Sequence, residues 1–262
     1  MDLKLKGKTA IVTGGTAGIG LAIVKALTAE GVAVTVPGRS REKLNTALSG
    51  ISGVQAIVAD AAAAEGVHAL IEQVPDIDIL INNLGIYEPK NFADITDADW
   101  FSIFETNVLS GVRLSRRYFP RMLHRDNGRV IFISSEAAIM TPPEMIHYGV
   151  TKTSLLAISS GLAELTKGTS VTVNSVLPGP THSDGIVVFL KQMSTIPNAT
   201  PEEAEQEFFE KSRTSSLLQR LIKDSEIANL VTFLASPPVL CNERSSCTGR
   251  RWPCSLNPLN CG

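Results

Sequence analysis

The stretch HYGVTK sets a phenol and an ammonium one helical turn apart. Tyr148 and Lys152 stand four residues from each other, a spacing that puts both on one face of a helix. A free tyrosine has a pKa of about 10, so its phenolate is scarce at neutral pH. A nearby ammonium stabilises the phenolate and lowers that value. A phenol tuned in this way gives a proton to an oxygen as hydride reaches the attached carbon, or takes it back in the reverse direction. Upstream, RVIFISSEAAIM ends an apolar run with Ser134 and Ser135. A hydroxyl placed there can hold a substrate oxygen against the phenol.

A second feature near the start handles phosphate. TGGTAGIG, Thr13 to Gly20, has four glycines in eight residues. Gly14 allows a sharp turn, Gly18 lets backbone approach a diphosphate, and Gly20 lets the following helix pack closely. The N–H groups and dipole of a helix start favour an anion. The spacing is G-x-x-x-G-x-G, different from the G-x-G-x-x-G dinucleotide fingerprint. The next apolar run reads VAVTVPGRSREK, with Gly38 where an acid would hold a ribose 2′-hydroxyl, and Arg39 after it. A carboxylate there repels a 2′-phosphate, whereas a guanidinium grips it through two hydrogen bonds. The pair favours NADP(H) over NAD(H).

These side chains need a frame. Apolar runs at 9–13, 32–36, 54–59, 77–82, 129–134 and 171–176 alternate with segments of three- and four-residue periodicity such as LAIVKALTAE. Strands apolar along their whole length are buried on both faces. The alternation predicts an α/β fold: a single-domain, Rossmann-like, doubly wound parallel sheet with helices on both faces. Ligands of such sheets bind beyond the carboxyl ends of the strands, where the residues above stand. Thr96 with Asp99 predicts a capped helix start before Trp100, Phe101 and Phe104.

The 262 residues, 44% apolar and 19% charged with a net charge of −2, suit one large soluble domain. Nothing in that balance points to nucleic acid or an acidic membrane surface. No apolar run reaches the length of a membrane span, and the start lacks the apolar core of a signal peptide, so the expected compartment is the cytoplasm. No cluster of ligating residues has metal spacing. The histidines at 68, 124, 147 and 182 are scattered, and His147 alone adjoins the tyrosine.

Taken together these motifs resemble the short-chain dehydrogenase/reductase family, from about residue 5 to residue 236. The glycine motif matches Gly14, Gly18 and Gly20. The family's Asn-Asn-Ala-Gly appears as Asn82, Asn83, Leu84 and Gly85, with Leu for Ala. The resemblance implies a catalytic set of Asn107, Ser135, Tyr148 and Lys152. Ser135 is selected over Ser134 because it lies thirteen residues before the tyrosine. Tyr148 is then the general acid in reduction, Lys152 lowers its pKa and holds the nicotinamide ribose, and Asn107 holds a water linking Lys152 to solvent. It further implies cofactor contacts from Thr16 and Ile19 of the glycine turn, Arg39, Asp60 near adenine, Asn83, Gly85, Pro178, Gly179, and Ser183 near the carboxamide. Family members form homodimers or homotetramers.

The implied reaction is NADPH-dependent reduction of a small-molecule ketone, or its reverse. Two alternatives stand beside it: reduction of a 3-oxoacyl thioester on a carrier protein, and a nucleotide-binding sensor without catalysis. Residues from about 180 to 215 form the expected lid, and with Tyr87, Ile139 and Met140 they suggest a mostly apolar pocket. Glu136, next to Ser135, is a candidate for a polar substrate group.

The domain is expected to cover 1–236, leaving an atypical tail over 237–262. All four cysteines, Cys241, Cys247, Cys254 and Cys261, lie there, without the Cys-x-x-Cys pairs of zinc sites. We read the tail as a shifted frame. Back-translated with permitted codons and read one base later, PPVLCNERSSCTGRRWP yields LSSATSGAPALVDGGL, the Val-Asp-Gly-Gly ending that the family places in its last strand. The expectation is therefore an altered or missing seventh strand and weakened oligomerisation.

Overall fold

The computed structural model describes residues 2–214 and 216–237, so the expectations for the last strand and the cysteine-bearing tail lie outside the described residues. The chain runs β1 (Thr9–Val12), α1 (Gly18–Ala29), β2 (Ala33–Gly38), α2 (Arg41–Leu48), β3 (Val54–Val58), α3 (Ala64–Gln73) and β4 (Ile79–Asn82). It continues through α4 (Asp97–Phe104), α5 (Ser110–His124), β5 (Arg129–Ile133), α6 (Ile146–Glu164) and β6 (Thr172–Val176), then α7 (Asp184–Met193), α8 (Pro201–Lys211) and α9 (Asp224–Ala235). Five of the six apolar runs contain a strand, and β2 runs two residues past the end of its run at 36. The run-end residues Thr13 and Ser134 leave the ladder and begin loops.

All six strands are parallel, in the order β3-β2-β1-β4-β5-β6. The chain builds outward from β1 to β3, returns to place β4 beside β1, and builds outward again. Val12 registers with Ile81 at that junction, so the carboxyl ends of β1 and β4 border the crevice of the switch point.

Side-chain alternation divides the core into two layers. Val12, Ile79, Ile81 and Ile131 pack with Ile23, Val24 and Leu27 of α1 and with Val231 and Leu234 of α9. Ile11, Leu80, Val130 and Phe132 pack with Leu70 of α3, Leu114 and Tyr118 of α5 and Leu155 of α6. Every residue of β4 and β5 is buried, as expected of central parallel strands covered on both faces.

Thr96 caps α4 as its spacing predicted. Its hydroxyl accepts from the Asp99 N–H at 3.2 Å, and the Asp99 carboxylate accepts from the Thr96 N–H at 2.8 Å. Between α4 and α5 the helix widens into a π-helical turn, Glu105–Leu109, with Asn107 buried inside it. No helix among the described residues is long and apolar enough to cross a membrane.

The arm from 180 to 214 packs Leu190, Ala204 and Phe209 with Leu221, beyond its end, into a separate small core. Glu207 holds its turn, accepting from Ser194, Thr195 and, at 2.8 Å, the Lys211 ammonium. These partners hold the Glu207 carboxyl down at about 2.

Candidate active site

Thr13 and Asn83 build the floor of the site. The Thr13 hydroxyl donates to the Ile81 carbonyl and accepts from the N–H groups of Asn83 and Leu84, both at 3.0 Å. In return the Asn83 amide donates to the carbonyls of Thr13 at 3.0 Å and Gly14 at 3.3 Å. The turns after β1 and β4 are thereby stitched together. Gly20 completes the junction, because a Cβ there would fall 2.1 Å from the Gly14 carbonyl oxygen. Its role is close contact with the preceding turn and Asn83. Thr13 immediately precedes the glycines, yet its joining role appears only when β4 is seen beside β1.

The turn opens outward. Gly14 and Gly18 adopt φ of +64° and +47°, left-handed conformations that favour glycine. Nothing lies within 4 Å of where a Gly18 Cβ would stand. Helix α1 begins there with no side-chain cap and no acid in its first turn. Bare N–H groups facing open space suit a diphosphate, so the residues present fit a dinucleotide.

A cleft of about 450 Å³ runs from this turn across the strand ends. Gly14, Gly18, Ile19, Gly20, Asn83 and Gly85 line one part of it; Ser135, Tyr148 and Lys152 line the middle; Pro178, Gly179 and Ser183 line the part nearest the arm. The sequence-predicted residues therefore converge, with four exceptions. Thr16 lies in the turn but off the cleft lining. Arg39 follows β2, exposed, and Asp60 follows β3, its carboxylate accepting from the Ala62 N–H at 3.0 Å. The sheet order sets these two progressively outward from the glycine turn. Asn107 sits behind the cleft wall.

The middle of the cleft is held by α6 against β5. Ser134 is buried and donates to the Lys152 carbonyl at 2.8 Å, while the Lys152 ammonium donates to the Ile133 carbonyl at 3.0 Å. The Ser135 hydroxyl accepts from the Ala137 N–H at 3.2 Å and is a hydrogen-bond partner of Tyr148. Burial pushes the Tyr148 phenol above its ordinary value, with the Ser135 hydrogen bond pulling it down and the charges of Tyr87 and Glu136 adding to the rise. Ser135 thus contributes a lowering beside the one the resemblance assigns to Lys152, whose ammonium donates to the Ile133 carbonyl and lies 5.5 Å from the centre of the Tyr148 ring. Burial also lowers Lys152 itself to about 8.

Asn107 clamps the loop after β4. Its amide N–H groups donate to the Ile86 carbonyl at 2.9 Å and the Thr151 hydroxyl at 3.1 Å, and its oxygen accepts from the Ile86 N–H at 2.7 Å. Both amide protons are thus committed, leaving the oxygen's second lone pair for any water. Gly85 lies between the two polar groups. A Cβ there would sit 3.4 Å from the Lys152 ammonium and 3.5 Å from the Asn107 oxygen.

Three further expectations meet the geometry differently. Ile139 and Met140 are exposed and off the cleft lining, while Tyr87 lines it, its ring edge-on to Tyr148 at 6.1 Å. His147 is buried edge-on against Trp100, away from the cleft. Arg213, which periodicity did not single out, enters the cleft from the arm and pairs with Glu136.

The chain matches the short chain dehydrogenase family over residues 8–192. It is 49% identical over 243 residues to the uncharacterized oxidoreductase YvaG of Bacillus subtilis (strain 168), covering 90% of this chain and 92% of that protein. It is 30% identical over 245 residues to the 3-oxoacyl-[acyl-carrier-protein] reductase FabG of Aquifex aeolicus (strain VF5), covering 90% and 93%. Among solved structures it is similar to L-sorbose reductase from Gluconobacter frateurii complexed with NADPH and L-sorbose. That likeness has a TM-score of 0.83 and 28% identity, over 90% of this chain and 92% of that one. Sheet order, sequence match and structural likeness agree, and the chain belongs to the short-chain dehydrogenase/reductase family of oxidoreductase enzymes.

Proposed function

We propose that this enzyme reduces a small-molecule ketone to an alcohol with NADPH, or runs the reverse oxidation, with Tyr148 handling the proton. One observation carries the reading: Tyr148, with Ser135 as its hydrogen-bond partner, lines the same cleft as the bare start of α1.

When bound, a reduced nicotinamide supplies the hydride. Ser135 fixes the carbonyl oxygen within reach of the phenol, and Tyr148 donates its proton to that oxygen. The buried ammonium of Lys152 stabilises the phenolate left behind. Asn107 holds the Gly85 loop in place and, with Lys152, returns a proton from solvent. Asn83, Gly85, Pro178, Gly179 and Ser183 line the nicotinamide half, while Thr16, Ile19, Gly14, Gly18 and Gly20 take the diphosphate. Asp60 meets the adenine.

NADPH is favoured by the end of β2. A Cβ at Gly38 would meet the Leu44 side chain at 3.0 Å, which crowds an acid there. Arg39 is exposed and has no charged partner among the described residues, so its guanidinium is free for a 2′-phosphate. The similar L-sorbose reductase structure is complexed with NADPH. We extend the reading to a homodimer or homotetramer in the cytoplasm.

A second reading, reduction of a 3-oxoacyl thioester, is favoured by the FabG relatives. A sensor without catalysis would have no use for the intact Ser135–Tyr148–Lys152 wall.

The test is NADPH oxidation across a panel of small ketones and one acetoacetyl thioester, with wild type and Tyr148→Phe. Wild type turns over a ketone, and the variant loses about 10³-fold in kcat while binding NADPH as before. A variant as fast as wild type, or a wild type that binds NADPH and reduces nothing, overturns the reading. Preference for the thioester selects the second.

A further inference from the structure

Arg213 and Glu136 face the cleft outside the proton-handling set. Arg213 arrives from the loop after α8 with its side chain 22% exposed. Its guanidinium carbon sits 5.9 Å from the centre of the Phe208 ring. Its Nε lies 3.4 Å from a Glu136 carboxylate oxygen, and among the described residues nothing accepts a hydrogen bond from its two terminal nitrogens. Glu136 directly follows Ser135 in the chain, so the cation stands close to the reacting wall.

The same chain contains a contrasting pair. Arg220 grips Glu226 through both terminal nitrogens, at 2.8 and 2.9 Å. That is the two-point geometry of a pair whose work is structural. Arg213 instead meets Glu136 through a single 3.4 Å contact that is not a hydrogen bond, and its terminal nitrogens have no acceptor among the described residues that line or surround the cleft. The other cation on the lining, Lys152, donates to Ile133 and lies by the Tyr148 ring, where the proton handling needs it. Phe208 lies under the guanidinium, and Ile186 and Phe189 add apolar surface to the same cleft. An open guanidinium fork over an aromatic ring in an apolar wall is a carboxylate site.

We propose that Arg213 is the specificity-determining residue of this enzyme, and that its substrate is a short oxo acid, or the matching hydroxy acid, whose carboxylate docks on the Arg213 fork while its carbonyl meets Ser135 and Tyr148. This rests on the oxidoreductase reading above. Glu136 attracts the guanidinium from its Nε side without accepting a hydrogen bond from it, and leaves the fork free. Burial holds the Glu136 carboxyl above its ordinary value despite Arg213.

The experiment compares acetoacetate and 4-oxopentanoate with their methyl esters, reading the acid-to-ester ratio of kcat/KM with saturating NADPH. Wild type favours the acids. Arg213→Gln lowers the ratio about 10- to 100-fold, the worth of a charge-assisted hydrogen-bonded contact, and the loss falls in KM. Arg213→Lys keeps part of the preference, and Glu136→Gln keeps or raises it. Melting temperature and NADPH affinity confirm that each variant is folded, and Arg213→Lys decides the matter should Arg213→Gln not fold. A wild type that reduces esters as well as acids, or an Arg213→Gln that loses both equally, overturns the inference and leaves a lid contact in its place. A wild type that binds NADPH and reduces neither series overturns the inference, and the wider panel of ketones and thioester above then decides whether the reduction reading stands.

Discussion

The Lys152 ammonium lies 5.5 Å from the centre of the Tyr148 ring and gives its hydrogen bond to the Ile133 carbonyl. Its charge is therefore held beneath the phenol by strand β5, and burial brings its pKa from 10.5 down to about 8. Below that value the ammonium is present to support a phenolate; above it the support disappears. We expect ketone reduction to fall as pH rises through about 8, and Lys152→Met to lose that limb along with most of its rate. Linkage has the opposite sense. Between about 8 and 10.5 the unfolded chain binds more protons at this site than the fold does, so the fold gains stability as pH rises across that window, by on the order of 3 kcal/mol. Urea unfolding at neutral pH, where Lys152→Met is expected to be no less stable than wild type, checks that sense.

A methyl group at Gly20 has nowhere to go. With the Gly14 carbonyl oxygen 2.1 Å from the added atom, Gly20→Ala forces α1 off the turn it packs against. The expected cost is about 1–3 kcal/mol, with NADPH binding lost as the N–H groups swing away. Urea unfolding and nucleotide fluorescence measure the two effects, and an alanine variant that binds NADPH normally contradicts this picture of the junction.

Arg39→Gln separates the two nucleotides. If the guanidinium holds a 2′-phosphate, the variant loses about 10- to 100-fold in NADPH affinity and changes little toward NADH. Equal losses on both would assign Arg39 to the fold instead of the phosphate.

Glu207 makes the arm sensitive to acid. Its carboxyl sits at about 2 in the fold against 4.5 unfolded, so its stabilising contribution is complete above 4.5 and drains away as pH falls toward 2. We expect an acid-active protease to cut between residues 194 and 200 progressively faster as pH drops through that window. Glu207→Gln should be cut quickly at every pH.

Much of this was legible in the chain because strand ends and glycines announce themselves. The runs ending at Thr13, Asn82 and Ser134 gave the sheet and the loops that carry the site, and the spacing from Ser135 to Tyr148 to Lys152 marked the cleft wall. Partnerships between distant residues were not legible. Nothing in the order of residues says that Asn83 reaches the Gly14 carbonyl, that Asn107 spends both amide protons on Ile86 and Thr151, or that Arg213 swings back to Glu136 from 77 positions away. Burial is the other blind spot. The spacing paired Lys152 with the phenol, but the desolvation that raises Tyr148 and lowers Lys152 depends on how closely α6 lies on β5. The reading of the 237–262 tail as a shifted frame is a matter for the coding DNA.

The reciprocal bonds between Thr13 and Asn83 have a kinetic consequence. They weld the two loops on either side of the switch point into one piece, so that piece has no soft joint of its own with which to admit or expel a nucleotide. Breathing must come from the opposite bank, where the arm rests on a miniature core of four side chains and a single carboxylate. We expect product release to depend on how tightly residues 180 to 214 fasten down, and changes that slacken Glu207 to speed it.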